Sequence, residues 1–378
     1  MPPEPESGTS IGSERRARPP QADELELSLF GSGCGECVVV HLGANEWMIV
    51  DSCIHENGEP VSIAYLKEMG IDVGRQVPIV VASHWHDDHV RGLARAFKEC
   101  ENATIVFASA LTREEFQTLI EAYGDDRMLP GSSGVREIKG VIDCLRSRSP
   151  KGAPAPLCLS GADKRIYCRQ LAGAISAVEV WSLSPPDSAA MLALRDIGSW
   201  LLPSKKPKRR VEAQRPNHLA TVLWVEMGGR RMLLGADLEQ SQQPDLGWKA
   251  ILSSKTRPQG RAEVFKVPHH GSKNAHSPEV WQDMLDKPIS TLTAFNRSSL
   301  PRPTEIRVIS SLSREAYLTS PPNPTHWAPP DPAVARTLRE SKISIENETG
   351  GLGHVRVRWQ HGSTPATEIF GAARRLDS

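Results

Sequence analysis

No apolar run in this chain approaches the length of a membrane span, and residues 1 to 21 are largely Pro, Ser, Glu and Arg without an apolar core. The sequence therefore predicts neither a signal peptide nor an anchor, and places the protein in the cytoplasm with no membrane partner. Excess charge of one sign is also missing, since 45 Lys and Arg balance 45 Asp and Glu. That balance gives no global basic field to argue for a polyanion partner. Paired cysteine spacing is scarce. The seven cysteines, at 34, 37, 53, 100, 144, 158 and 168, are odd in number and irregular, which fits reduced thiols. Cys34-Gly-Glu-Cys37 has CxxC spacing, but no second CxxC follows. What is present, 378 residues with 39% hydrophobic and 24% charged, is the composition of a globular protein of one large domain or two ordinary ones.

Chemistry concentrates in Ser83-His84-Trp85-His86-Asp87-Asp88-His89, directly behind the apolar run Pro78-Ile79-Val80-Val81-Ala82. The run is short and β-branched, and reads as a buried strand entering a loop. Helical spacing follows from Val90 to Phe97. Alternate residues His84 and His86 can point to one metal, and Asp88 and His89 can serve a second. Neutral imidazole with carboxylate is a ligand set for zinc and similar divalent ions.

Elsewhere, strands are expected at 25–30, 37–42, 47–50, 105–109, 178–183, 221–226, 231–235, 264–267, 289–294 and 353–359, and helices at 61–69 and 113–123. Residues 1–22 are polar and proline-rich and are expected to be disordered. One domain is expected over 23–362, with an insertion at 110–175, a basic loop at 203–216 and a tail at 363–378. The basic loop contains Lys205-Lys206-Pro207-Lys208-Arg209-Arg210 and leads straight into Asn217-His218. It reads either as a solvated surface loop or as a flap over an anionic substrate.

His84-x-His86-x-Asp88-His89 resembles the signature of the metallo-β-lactamase-fold hydrolases. The resemblance implies an α/β fold, a four-layer αββα sandwich with an insertion between the second and third metal motifs. It also implies two divalent cations, zinc or manganese. In its terms His84, His86 and His218 take the first cation, Asp88, His89 and His269 the second, and Asp237 bridges. Asp51 matches a carboxylate that orders the metal loop without binding. Leu-Leu-Gly-Ala-Asp-Leu-Glu, then Lys-Val-Pro-His-His-Gly-Ser, resembles one branch: the hydrolase domain of competence DNA-uptake channels and its free-standing relatives. Departures stand out at three positions. Competence-type domains commonly carry Asp where this chain has His86 and Asn where it has His218, and often His where it has Arg302.

The function expected on this basis is a phosphodiesterase or nuclease in which two cations acidify a shared water. Asp88 would orient the attacking water. His270 could protonate the leaving group, with Ser272, Lys273, His276 and Arg302 on the substrate. The expected partner is a nucleic acid or nucleotide; protein partners are not indicated. The alternatives are a small-molecule ester, lactone or thioester hydrolase, and a partner-activated component of anti-phage (antiviral) defence.

Overall fold

Alternation in Leu25-Glu26-Leu27-Ser28-Leu29-Phe30 does produce a strand, but both of its faces are buried. Leu25, Leu27 and Leu29 enter a core shared with a second sheet. Glu26 and Ser28 turn to the helical side, where the Tyr65 hydroxyl donates to Glu26 Oε1 at 2.7 Å. A computed structural model describes residues 16–108, 132–149, 155–170, 177–201, 216–322, 351–360 and 362–376.

The chain begins with β1 (Leu25–Gly31), β2 (Glu36–His41) and β3 (Trp47–Val50), an antiparallel ladder. Helices α1 (Val61–Glu68) and α2 (Val73–Gln76) lead to β4 (Ile79–Val81), which pairs parallel to β3. Next come α3 (Asp87–Val90), α4 (Leu93–Glu99), β5 (Thr104–Ala108), α5 (Ser132–Arg148), β6 (Leu157–Ser160), β7 (Lys164–Gln170), β8 (Ala177–Ser182) and α6 (Asp187–Leu201). The second half holds β9 (Leu223–Met227), β10 (Arg230–Leu234), α7 (Gly247–Ser253), β11 (Ala262–Lys266), α8 (Pro278–Asp283), β12 (Leu285–Leu292), α9 (Pro303–Leu312) and β13 (Glu315–Leu318). It closes with β14 (Gly353–Trp359), β15 (Ala366–Gly371) and β16 (Arg374–Leu376).

Two eight-stranded sheets result, ordered β15-β14-β1-β2-β3-β4-β5-β6 and β16-β13-β12-β11-β10-β9-β8-β7. Three cores separate four layers. Val39, Ile49, Val80 and Phe107 pack outward against Leu66, Phe97 and Ile138 of the first helical layer. Val40, Val50 and Val81 meet Val180, Val225 and Leu234 between the sheets. Trp224, Leu233 and Phe265 pack against Trp248, Val280 and Ile309 of the second helical layer. The fold is thus the α/β, four-layer αββα sandwich. Among the described residues no helix is long and apolar enough to cross a membrane.

Three boundaries change. The 110–175 segment is not an excursion outside the sandwich: where described, it supplies α5 and an edge strand to each sheet, β6 and β7. Apolar Val135, Ile138, Val141 and Leu145 fix α5 to the first core, and the Arg148 guanidinium lies over the Phe97 ring, 4.2 Å from its centroid. The segment expected as a tail over 363–378 forms strands where described, since β15 pairs with β14 and β16 with β13. Residues 16–22 lie against β14, where Arg356 and Arg358 donate to the Arg16 and Arg18 carbonyls at 2.9 and 2.6 Å. The helix expected at 113–123 and the basic run at 205–210 fall outside the described residues.

Candidate metal centre

Parallel strands end on the same side of a sheet, so the loops after β3, β4, β10 and β11 gather at one rim. There Asp88, His89, Asp237 and His270 bring ligand atoms within 4.8 Å of one another, and His84, His86 and Asp237 form a second such group. Asp237 belongs to both. His89 Nε2 lies 3.3 Å from Asp237 Oδ1 and 3.7 Å from Asp88 Oδ2. His270 Nε2 lies 3.2 Å from Asp88 Oδ2 and 3.8 Å from Asp237 Oδ2. His84 Nε2 approaches His86 Nδ1 at 3.0 Å and Asp237 Oδ2 at 3.9 Å.

The backs of these imidazoles are held by acceptors. Ser83 gives Asp51 both its amide, at 2.7 Å to Oδ1, and its hydroxyl, at 2.6 Å to Oδ2. A hydroxyl has one proton, so Ser83 Oγ, 3.0 Å from His84 Nδ1, must accept from that ring. His89 Nδ1 is 2.7 Å from Asp51 Oδ2 and is a donor for the same reason. With Nδ1 committed as a donor in both rings, Nε2 is the nitrogen that each neutral imidazole would offer to a cation at the centre. His89 Nε2 and Asp237 Oδ1 are buried without a hydrogen bond of good geometry. A buried donor set facing inward with unsatisfied atoms fits divalent cations. His84, His86 and Asp237 would hold one cation, and Asp88, His89, His270 and Asp237 the other.

Electrostatics follow from this crowding. Burial, with His89 and His86 alongside, holds His84 well below the usual imidazole range. Burial likewise lowers His86. His89 is buried too, but the Asp237, Asp88 and Asp51 carboxylates outweigh that and raise it well above the ordinary value. Burial opposes the charge on Asp237, yet His89 and His270 hold it well below the carboxylate range. Asp51 is raised by burial despite its donors.

No family model matches the sequence, and no curated protein matches it. Among solved structures, a Cronobacter sakazakii metallo-β-lactamase with a HARLDQ motif is similar over 67% of this chain and 79% of that one, at 14% identity and TM-score 0.33. Zinc-bound PqqB from Methylobacterium extorquens is 11% identical over 61% of this chain and 58% of its own, at TM-score 0.30. The metallo-β-lactamase-fold protein YhfI from Bacillus subtilis is 10% identical over 64% and 70%, also at 0.30. Two of the three carry the metallo-β-lactamase name, and identities of 10–14% transfer no substrate.

The structure rearranges the expected roles in the second half. His270, expected to protonate the leaving group, sits in one candidate ligand group, and His269, expected as a ligand, lies in neither. Strand alternation favours the first histidine after β11. However, Pro268 opens a turn in which both histidines take left-handed backbone, φ 46° and 54°, and the turn swings His270 inward. His269 Nδ1 instead faces Glu239 Oε1 at 3.1 Å. His218, on the short turn Pro216–Leu219, is half-buried and outside both ligand groups; its charge bears on Glu239, which accepts from Asn217 Nδ2 at 2.9 Å. Ser272 Oγ caps the turn Lys273–Ala275. Lys273 and His276 line a groove of about 380 Å³ against Thr304, Glu305, Val308 and Ile309 of α9. Arg302 is exposed at the start of α9.

Sequence reasoning passed over Ser83, Glu36, Lys266, Thr293, Phe295 and Glu239. Lys266 carried a readable signal, as the single charge closing the apolar run Val264-Phe265 in a strand buried on both faces.

Proposed function

We propose that the protein is a metal-dependent hydrolase of phosphodiesters, a nuclease or nucleotide phosphodiesterase using two divalent cations, zinc or manganese. The observation that carries the metal-dependent reading is Asp237, one carboxylate common to two ligand groups at a rim where both sheets end. When bound, such a cation pair acidifies water and stabilises charge on the attacked group.

The chain's own residues do the rest. Asp51 and Ser83 keep His84 and His89 in the tautomer that faces Nε2 inward. Asp88 places Oδ2 between the His89 and His270 rings, with its side chain 14% exposed, so it can reach both the ligands and a substrate at the rim. Glu239 and His269 form a half-buried pair beside Asp237, suited to hydrogen-bond a leaving group or its water. The phosphodiester class is supported by the resemblance of the Asp237 and His269-His270 segments to the competence branch, and by the basic run 205–210 entering Asn217-His218.

The test is an activity screen of zinc- or manganese-loaded protein on bis(p-nitrophenyl) phosphate, single- and double-stranded DNA, RNA, and a panel of lactones and thioesters. Turnover of the diester and at least one nucleic acid is expected. Turnover confined to lactones or thioesters would replace this reading with the small-molecule one. Loaded protein inert on every substrate would favour a partner-activated role in defence.

A further inference from the structure

Behind His270 lies a buried polar chain that the proposed reaction does not use directly. The Lys266 ammonium pairs with Glu36 Oε1 and donates to the Ala236 carbonyl at 2.9 Å. Glu36 Oε2 accepts from the Thr293 hydroxyl at 2.6 Å, and Thr293 Oγ1 lies 2.8 Å from His270 Nδ1. Glu36, Lys266, Thr293 and His270 are all 1% exposed or less. The four residues come from β2, β11, the end of β12 and the His270 turn, so the chain crosses from one sheet to the other.

The direction of these bonds is forced. In its pair with Lys266, Glu36 accepts at both oxygens, and the single Thr293 proton goes to Glu36. Thr293 Oγ1 must therefore accept from His270 Nδ1–H, so Nε2, 3.2 Å from Asp88 Oδ2, is the nitrogen that the neutral ring would offer to a cation. The Phe295 ring stacks on His270, 5.0 Å between centroids and 15° between planes, and fixes the ring plane as the hydrogen bond fixes its rotation. Room for Thr293 is provided by Gly31: a Cβ there would lie 2.6 Å from Thr293 Cγ2. A buried ion pair is an expensive way to stabilise a fold, because desolvation offsets much of the attraction and apolar residues would serve as well. This one reaches the centre through one hydroxyl.

We propose, on the reading that the centre binds two cations, that Lys266, Glu36 and Thr293 are positioning residues for His270. Through His270 they set affinity at the Asp88–His89–His270 position, whereas the His84–His86 position, supported by Ser83 behind His84, does not depend on them. Losing such an outer partner of a ligating histidine costs 10- to 100-fold in metal affinity in general.

The test is zinc titration of metal-free parent, Thr293→Val, Thr293→Ser and the double variant Glu36→Gln with Lys266→Met, with thermal unfolding run in parallel. In Thr293→Val one equivalent should weaken roughly 10- to 100-fold and the other by no more than about threefold, with Thr293→Ser restored toward the parent. The double variant should show the same selective loss without stranding a buried charge, and carries the test together with Thr293→Ser if Thr293→Val does not fold. Parent with two equivalents and variants indistinguishable from it would overturn this inference alone. So would equal weakening of both equivalents that Thr293→Ser does not relieve. Parent taking up fewer than two equivalents would overturn the two-cation reading and this inference with it.

Discussion

Asp51 and Asp237 occupy matching places in the two sheets. Each follows the strand at which antiparallel pairing gives way to parallel, β3 between β2 and β4, and β10 between β9 and β11. Each is 2% exposed. Yet Asp51 is surrounded by donors, the Ser83 amide and hydroxyl and His89 Nδ1, and its oxygens are spent on them. Asp237 meets ring nitrogens turned toward it, and its Oδ1 keeps no well-formed hydrogen bond. The same residue at the same topological position is thus a support in one sheet and a shared member of two candidate ligand groups in the other. The neighbours' donor inventory decides the role, not the strand end.

Several substitutions would break or sharpen that contrast. The largest effect is expected from Asp237→Ala, which should weaken both cations together by at least about 100-fold, beyond what outer partners supply, and abolish turnover. Calorimetric zinc titration checks it; retention of one tight equivalent would make Asp237 a ligand to a single cation. Asp51→Ala should cost less, roughly 10- to 100-fold in affinity, because ligand rings lose orientation but no ligand is removed. A loss as large as that of Asp237→Ala would erase the distinction between the two aspartates.

Acid should separate them further. A cation needs His89 neutral, yet in the metal-free protein the surrounding carboxylates keep its proton to higher pH than an ordinary imidazole. Zinc affinity should therefore rise with pH through and above neutrality, and binding near neutral pH should release protons, seen as heats that depend on buffer ionisation. Asp237→Asn should reduce that release by removing the carboxylate that most strongly raises His89.

Smaller effects concern substrate and stability. Replacing Lys205, Lys206, Lys208, Arg209 and Arg210 by Gln should flatten the salt dependence of nucleic-acid cleavage, at a slope of about 0.7 per lost contact on single strands. Turnover of the small chromogenic diester should hardly change. His41 is a buried histidine without a metal role: its Nδ1 faces the Glu24 carbonyl at 2.8 Å, its Nε2 accepts from the Asn45 amide, and burial lowers it to about 4. The unfolded chain takes that proton first, so stability should fall as pH drops from about 6.5 toward 4, by up to about 3 kcal/mol. The urea midpoint at pH 7.5 and 5 measures this, and His41→Gln should remove part of the slope.

The first half of the centre was legible because a strand followed by His-x-His-x-Asp-His compresses most of its ligands into six residues, where local geometry leaves few choices. In the second half Asp237 was legible as the carboxylate that follows β10, but the choice between adjacent histidines was not, because it depends on left-handed backbone that no periodicity signals. Helix α5 was overlooked although Val135, Ile138, Val141, Ile142 and Leu145 have helical spacing, since the surrounding Gly, Pro and Ser dilute the pattern. Edge strands β15 and β16 are too short and too exposed to alternate clearly. Glu36 and Thr293 read as ordinary polar residues until the sheets bring them together.

Zinc content per chain in the parent, His269→Ala and His270→Ala tests the unequal halves of the centre most directly. After identical loading and dialysis, the parent and His269→Ala should each retain two equivalents, and His270→Ala one. Loss of an equivalent in His269→Ala with both kept in His270→Ala would contradict the account.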